Sequence, residues 1–139
     1  MTKFSSDIEE SIVDDLDTNY TDFKVVSGTV QIDNFDYPSI HVIQGESNHK
    51  KDTQYDVRIP IEIYLERDAD SGQKDVLEKE KTIENIIDDI LASISSYNDV
   101  VHYRVERIDP LIGEINNKMF VGSQVEFLAV RKINLHRRS

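Results

Sequence analysis

Few side chains in this sequence have the types and spacing that catalysis or metal binding requires. The histidines are far apart along the chain, and none belongs to an HExxH or HxH pattern. We therefore expect each to be a surface or partly buried polar residue rather than a metal ligand; they are His41, His49, His102 and His136. There is no cysteine, which excludes disulfides, thiol catalysis and cysteine-ligated zinc.

Two arrangements that contain carboxylates come closest to a catalytic pattern. Glu62 and Glu66 share one face of a predicted strand, but the usual rise per residue separates them by about 13 Å, too far for a carboxylate pair. Asp22 and Lys24 have the acid-x-Lys spacing of some metal-dependent nucleases, yet no Pro-Asp partner precedes them. GxSxG, GxGxxG and GxxxxGK patterns are also missing from the sequence. We therefore expect a protein that is not an enzyme and that uses no metal or cofactor.

The composition predicts one soluble globular domain spanning residues 1–139. Its 16 basic and 27 acidic residues give a net charge of −11, which opposes broad contact with nucleic acid or with an anionic membrane. No apolar run approaches the roughly 20 residues that span a bilayer. The polar, acidic N-terminal residues do not resemble a secretory signal, so we expect the protein to act in the compartment where it is made.

Two segments have the periodicity of amphipathic helices. Apolar residues recur every four positions from Phe4 to Leu16, and Ser6 and Glu9 have the spacing of a capping box. A longer helix is predicted over residues 73–96, where one broad face is apolar. That face comprises Val76, Ile83, Ile87, Ile90 and Ile94, flanked by Leu77, Ile86 and Leu91.

Residues 55–65 give the clearest strand, because apolar and polar side chains alternate without a break. Pro60 lacks an amide hydrogen, which predicts that this strand lies at a sheet edge or carries a bulge there. Asp109–Pro110 is expected to end a strand that begins near Val101. Shorter strands are predicted around residues 23–26, 30–32 and 40–43, and a closing strand or strand pair begins at Met119.

Two polar segments are candidates for contact with other proteins. Residues 44–54 contain no aliphatic side chain, and we interpret them as an extended hairpin arm or loop between strands. Residues 131–139 form a basic tail on an acidic chain, which suits docking onto an acidic partner. The alternative is that residues 44–54 are a solvated loop and residues 131–139 a frayed chain end, neither of them in contact with another protein. The candidate contact residues are Glu46, His49, Lys50, Lys51, Asp52, Arg137 and Arg138.

Together these elements predict an α+β fold with two layers. A mainly antiparallel sheet is expected, covered by the N-terminal helix and the long central helix. The long helix is expected to cross the sheet and bury its apolar face there. The predicted core is Ile59, Ile61, Ile63, Ile83, Ile87, Ile90, Val125 and Phe127.

The arrangement resembles the tail terminator proteins, also called tail completion or neck proteins, of long-tailed viruses of bacteria and archaea. The resemblance covers nearly the whole chain. An N-terminal helix precedes a Tyr-Pro turn and strand at residues 36–42, and a polar stretch leads into the alternating strand at 55–65. A long helix rich in isoleucine and leucine and a closing strand pair with Val-Glu-Phe-Leu-Ala-Val at 125–130 follow.

This resemblance implies a structural virion protein, usually a hexameric ring, with no catalytic residues. Such a ring caps the tail tube, joins it to the head-side connector or adaptor protein, and lets DNA pass through its lumen. Its place would be the neck of the virion, after assembly in the host cytoplasm. Two alternatives stay open: another neck or connector subunit, and an acidic regulator that mimics DNA.

Overall fold

The computed structural model describes residues 6–27, 38–43, 45–51, 54–66, 72–115 and 117–132. Over these ranges the chain is an α+β protein with two helices and a mixed sheet of six strands. The elements are α1 (Ser6–Asn19), β1 (Lys24–Ser27), β2 (Ser39–Val42), β3 (Glu46–Lys51), β4 (Gln54–Glu66), α2 (Gly72–Ser95), β5 (Val100–Ile115) and β6 (Lys118–Lys132). The predicted bounds of both helices and of the alternating strand agree closely with this.

The strand order is β1-β2-β4-β6-β5, and β3 also pairs with β4. β1 and β2 are parallel. All other pairs are antiparallel: β2, β3 and β6 each pair with β4, and β5 pairs with β6. β2 and β3 lie along the same side of β4, because β2 pairs with residues 61–64 and β3 with residues 54–58. Among the described strands, β5 therefore forms one edge of the sheet, and β1 and β3 form the opposite edge.

Two alternatives were predicted for β4 at Pro60, an edge position or a bulge. The edge position is wrong, since β4 runs through the middle of the sheet. An irregularity does occur at Pro60, because residues 59–60 lie opposite the break between β2 and β3. The carbonyl of Pro60 accepts a hydrogen bond from the amide of Ile43, with an N···O distance of 2.9 Å. In an antiparallel ladder the N–H and C=O of one residue point to the same side. The missing amide of Pro60 therefore faces the interruption between β2 and β3. Gly45 lies in that interruption, where a Cβ would come within 2.5 Å of the Arg58 carbonyl oxygen.

Every predicted core residue is buried, and side chains from both helices join the sheet residues in one apolar cluster. α1 contributes Ile8, Ile12 and Leu16 at its predicted four-residue spacing. Leu77, which was expected to flank the apolar face of α2, lies near the start of that helix and is 58% exposed. Each fully buried aliphatic side chain contributes roughly 1.5–3 kcal/mol to folding, so this cluster is the main source of stability.

β5 and β6 form a long hairpin, and the expected break at Asp109–Pro110 does not occur. Proline is tolerated in strands at sheet edges, where half of the backbone amides face away from the partner strand. Register shifts occur between Val100 and His102 and between Val105 and Arg107, whereas the pairing is regular from Ile108 onward. The first half of this edge strand is thus paired irregularly and the second half regularly.

Arg131 is a structural residue of β6 rather than the start of a basic tail. Its side chain is 8% exposed and pairs with the carboxylates of Asp7 and Asp99, each at 2.7 Å. It also lies over the ring of Tyr97, with 5.3 Å between the guanidinium carbon and the ring centroid. Partial burial alone would raise the pKa of Asp7, but the hydrogen bond and charge of Arg131 outweigh it and lower that pKa. Arg131 therefore links the first turn of α1 to the residues just before β5.

Candidate interaction surfaces

The predicted polar arm is a hairpin: β3 pairs with the first residues of β4, from Glu46 opposite Arg58 to Lys51 opposite Gln54. A register shift occurs between His49 and Lys51. Of the candidate contact residues, Glu46 is an exposed β3 residue. His49, Lys50 and Lys51 also belong to β3, whereas Asp52, Arg137 and Arg138 lie outside the described residues.

The structure brings the arm and the end of β6 together. Gln54, the first residue of β4, pairs with Lys132, the last described residue of β6. The end of β3, at Lys51 opposite Gln54, and the end of β6 therefore lie at the same end of the sheet, although they are distant in sequence.

The opposite edge of the sheet has exposed apolar side chains. Ile112 is 68% exposed and Ile108 is 50% exposed, and both belong to the regularly paired half of β5. β5 pairs only with β6 among the described strands, so its outer edge offers unpaired backbone groups as well. Sequence reasoning missed this surface because it ended the strand at Asp109–Pro110. The available signal was the spacing of Ile108, Pro110 and Ile112, which share one face of a strand that continues.

A groove of about 210 Å³ lies between α2 and the β5–β6 hairpin. It is smaller than the roughly 300–1,000 Å³ of small-molecule pockets, so it suits a few side chains better than a cofactor. Two carboxylates, Glu80 and Glu84, lie along its helical side. The apolar lining residues are Ile83, Ile87, Ile108, Pro110, Ile112 and Val121.

Charged side chains on β4, β5 and β6 pair with one another on the other face of the sheet. Arg58 lies 3.3 Å from Glu106, and Arg104 donates a hydrogen bond to the same carboxylate at 2.8 Å. The hydrogen bond from Arg104 lowers the pKa of Glu106. Arg58 also lies 4.0 Å from Glu126. These mutually paired charges form a solvated ionic surface and do not isolate any group that could act as a general acid or base.

The most enzyme-like constellation is a histidine and a serine on β2. His41 Nε2 lies 3.1 Å from Ser39 Oγ, and its ring contacts Tyr64 edge-on at 5.7 Å between centroids. His41 is buried, more deeply than the sequence predicted, and burial followed by the nearby charge of Lys24 lowers its pKa. Ser39 is completely buried, so its hydroxyl cannot reach a substrate. The pair is therefore part of the packing between β2 and β4.

Within the described ranges, no three histidine or acidic side chains converge closely enough to hold a metal ion. Neither described helix combines the length and the apolar character that crossing a membrane requires. A scan against protein-family models found no match to this chain, and a search among curated proteins found none either.

Proposed function

We propose that this protein is a tail terminator: a non-enzymatic virion subunit that forms a ring at the head-proximal end of a viral tail tube. The observation that carries the proposal is the chemical difference between two edges of the sheet that the described strands form, with β5 at one edge and β3 at the other. β5 presents exposed isoleucines beside an apolar groove, whereas β3 is built from Glu-Ser-Asn-His-Lys-Lys. A ring requires head-to-tail interfaces in which two different surfaces of each subunit meet, and these edges supply such a pair.

The resemblance in the order of elements supports the same proposal. The N-terminal helix, the alternating strand, the long helix and the closing hairpin follow one another as in tail terminators. We infer from this a two-layer arrangement in which α1 and α2 cover one face of the sheet, and a ring of six subunits. The partners would be the tail tube protein and the head-side connector or adaptor protein, in a virion assembled in the host cytoplasm.

The net charge of −11 fits a lumen through which DNA moves. A channel lined with Lys and Arg would bind phosphates, release counterions and hold the duplex in place. An acidic wall repels phosphate and lets DNA slide, which is the physical requirement of a neck. DNA would then be cargo in transit rather than a ligand.

An acidic DNA mimic would need many free carboxylates spaced along one face. The densest acidic stretch lies in α1, but two of its members serve the fold. Asp7 pairs with Arg131, and Asp15 accepts a hydrogen bond from Ser93 at 2.5 Å. This internal use weakens the mimic interpretation relative to the ring.

The deciding experiment mixes the purified protein with tail tubes from the same virus and images the tube ends by electron microscopy. We expect one ring of six copies at a single end of each tube. Two variants probe the two edges: deletion of residues 46–53, and Ile108→Asp combined with Ile112→Asp. Each should abolish capping, whereas the charge-altered control Glu10→Arg with Asp17→Arg on α1 should cap normally. Three or twelve copies in this layer, or no association with tubes, would contradict the proposal.

A further inference from the structure

The groove between α2 and β5 has the features of a docking site for an extended segment that is both apolar and basic. Its floor on the β5–β6 hairpin is aliphatic, with Ile108 50% exposed and Ile112 68% exposed. Glu80 and Glu84 lie one helical turn apart, about 6 Å along the axis of α2. Neither carboxylate forms an ion pair with any described residue. Leu77 lies two turns before Glu84 and extends the apolar surface along the same helix face.

The chain itself contains a segment of matching chemistry. After Lys132 come Ile133 and Leu135, two apolar residues of the same parity, and then Arg137 and Arg138. In an extended segment, residues two apart lie on one face with about 6.6 Å between them. Ile133 and Leu135 could therefore enter the groove together, with an arginine reaching the carboxylates of α2. Arg–carboxylate pairs are directional and suit such recognition.

The apolar part of this segment cannot reach the β5–β6 floor of the groove in its own subunit. Ile108, the groove residue of β5 nearest to the end of β6, lies opposite Val125, which precedes Lys132 by seven positions, or about 23 Å along the strand. Leu135 follows Lys132 by three positions and can extend at most about 11 Å from it. A second copy of the chain is therefore needed to place Ile133 and Leu135 on this floor.

We propose that residues 133–138 of one copy bind the α2–β5 groove of the next, with Ile133 and Leu135 on the aliphatic floor and Arg137 and Arg138 on Glu80 and Glu84. The inference rests on the proposed function, because it names the contact by which neighbouring copies of the ring would join. It makes the interface heterologous, since a segment at one end of the sheet meets a groove at the other. The segment that follows β6 in one copy and the α2–β5 groove of the next copy are thus the two halves of one contact.

The test uses a fluorescent peptide of residues 132–139, titrated with the full chain at concentrations where the chain is monomeric. We expect saturable binding below about 1 mM, the weak end of specific association. Glu80→Arg with Glu84→Arg should weaken it at least about fivefold, because two attractive pairs become repulsive. Leu135→Asp in the peptide should abolish it. The control Glu10→Arg with Asp17→Arg, which changes the net charge equally on α1, should leave it unchanged.

A charge-reversed peptide, with Arg137→Glu and Arg138→Glu, guards against misfolding of the groove variant. It should bind the groove variant more tightly than it binds the wild-type chain, which a misfolded protein could not do. Equal affinity of the wild-type peptide for the wild-type and groove-variant chains, or no binding to the wild-type chain, would overturn the inference.

Failure of the inference and failure of the proposed function are separable. Rings on tail tubes formed by a chain carrying Leu135→Asp would overturn the docking contact and leave the tail terminator assignment standing. Peptide binding without capped tubes would support the contact and remove the assignment.

Discussion

At the scale of single residues, His41 shows how a buried titratable group serves the fold. The side chain is 5% exposed and lies between Ser39 and the ring of Tyr64. Burial, assisted by the charge of Lys24, lowers the pKa of His41, so the folded protein keeps the imidazole neutral where an unfolded chain would protonate it. No feature of the sequence distinguished His41 from the other histidines, because its burial depends on the pairing of β2 with β4.

This difference predicts a specific pH dependence of stability. As the pH falls below about 6.5, the ordinary pKa of histidine, the unfolded chain takes up a proton that folded His41 resists. The free energy of unfolding should then fall, by up to about 1.4 kcal/mol per pH unit, until the pH reaches the lowered pKa. In urea denaturation between pH 7 and pH 5, His41→Gln should remove this part of the slope.

The matched control for that measurement is Asn48→Gln on the exposed surface of β3, which introduces the same residue without removing a titratable group. Its slope should equal that of the wild-type protein. A His41→Gln variant with an unchanged slope would show that His41 is protonated to the same extent in both states, and the proposed link between burial and stability would be wrong.

At the scale of elements, the central strands are held in close contact by a glycine. A Cβ on Gly122 of β6 would lie 2.1 Å from the backbone carbonyl oxygen of Ile63 in β4. Backbone atoms of a central strand cannot move aside, so we expect Gly122→Ala to cost about 1–3 kcal/mol. Gly113→Ala is the control in the same hairpin. There a Cβ meets only the Phe120 ring at 3.2 Å, and a ring can shift by a few tenths of an ångström.

Thermal unfolding of both variants checks this prediction. The melting temperature of Gly122→Ala should fall clearly further than that of Gly113→Ala. Equal losses would mean that β4 and β6 separate easily at Gly122, which would contradict the tight pairing of these strands.

Elements with strong local patterns could be predicted from the sequence, and those decided by position in the sheet could not. The four-residue spacing in α1 and the alternation of β4 predicted the buried side chains, except that Tyr64 of β4 is buried as well. Pro60 and Pro110 were misjudged for opposite reasons. Pro60 lies in a central strand, where its missing amide faces the break between β2 and β3. Pro110 lies in an edge strand that tolerates it. In both strands, neighbouring strands that are distant in sequence determine whether the proline is tolerated.

The candidate surfaces divide in the same way. The arm could be predicted because residues 44–54 lack aliphatic side chains. The groove could not, because it combines one face of α2 with a part of β5 that the sequence analysis had placed outside a strand. Leu77 was expected to flank the apolar face of α2, and near the start of that helix it is exposed.

At the scale of the whole molecule, net charge opposes the association that a ring requires. Each copy carries a charge of −11, so neighbouring copies repel one another over distances comparable to the Debye length. That length falls from about 10 Å at 0.1 M salt to about 3 Å at 1 M. The groove contact depends instead on aliphatic burial, which salt does not weaken, and on two short ion pairs, which salt does weaken.

Repulsion between whole subunits and attraction within the ion pairs are both screened by salt, so self-association and peptide binding should depend on salt in opposite directions. Self-association of the full chain, measured by light scattering on tail tubes or in solution, should strengthen from 0.1 M to 1 M KCl, because screening removes the repulsion between whole subunits. Binding of the 132–139 peptide to the monomeric chain should weaken over the same range, because the peptide is basic and its attraction to Glu80 and Glu84 is screened. The variant Glu10→Arg with Asp17→Arg lowers the net negative charge and leaves both contact surfaces intact, so its self-association should depend less on salt. Self-association that weakens with salt as much as peptide binding does would mean that ion pairs, rather than relief of repulsion, control assembly.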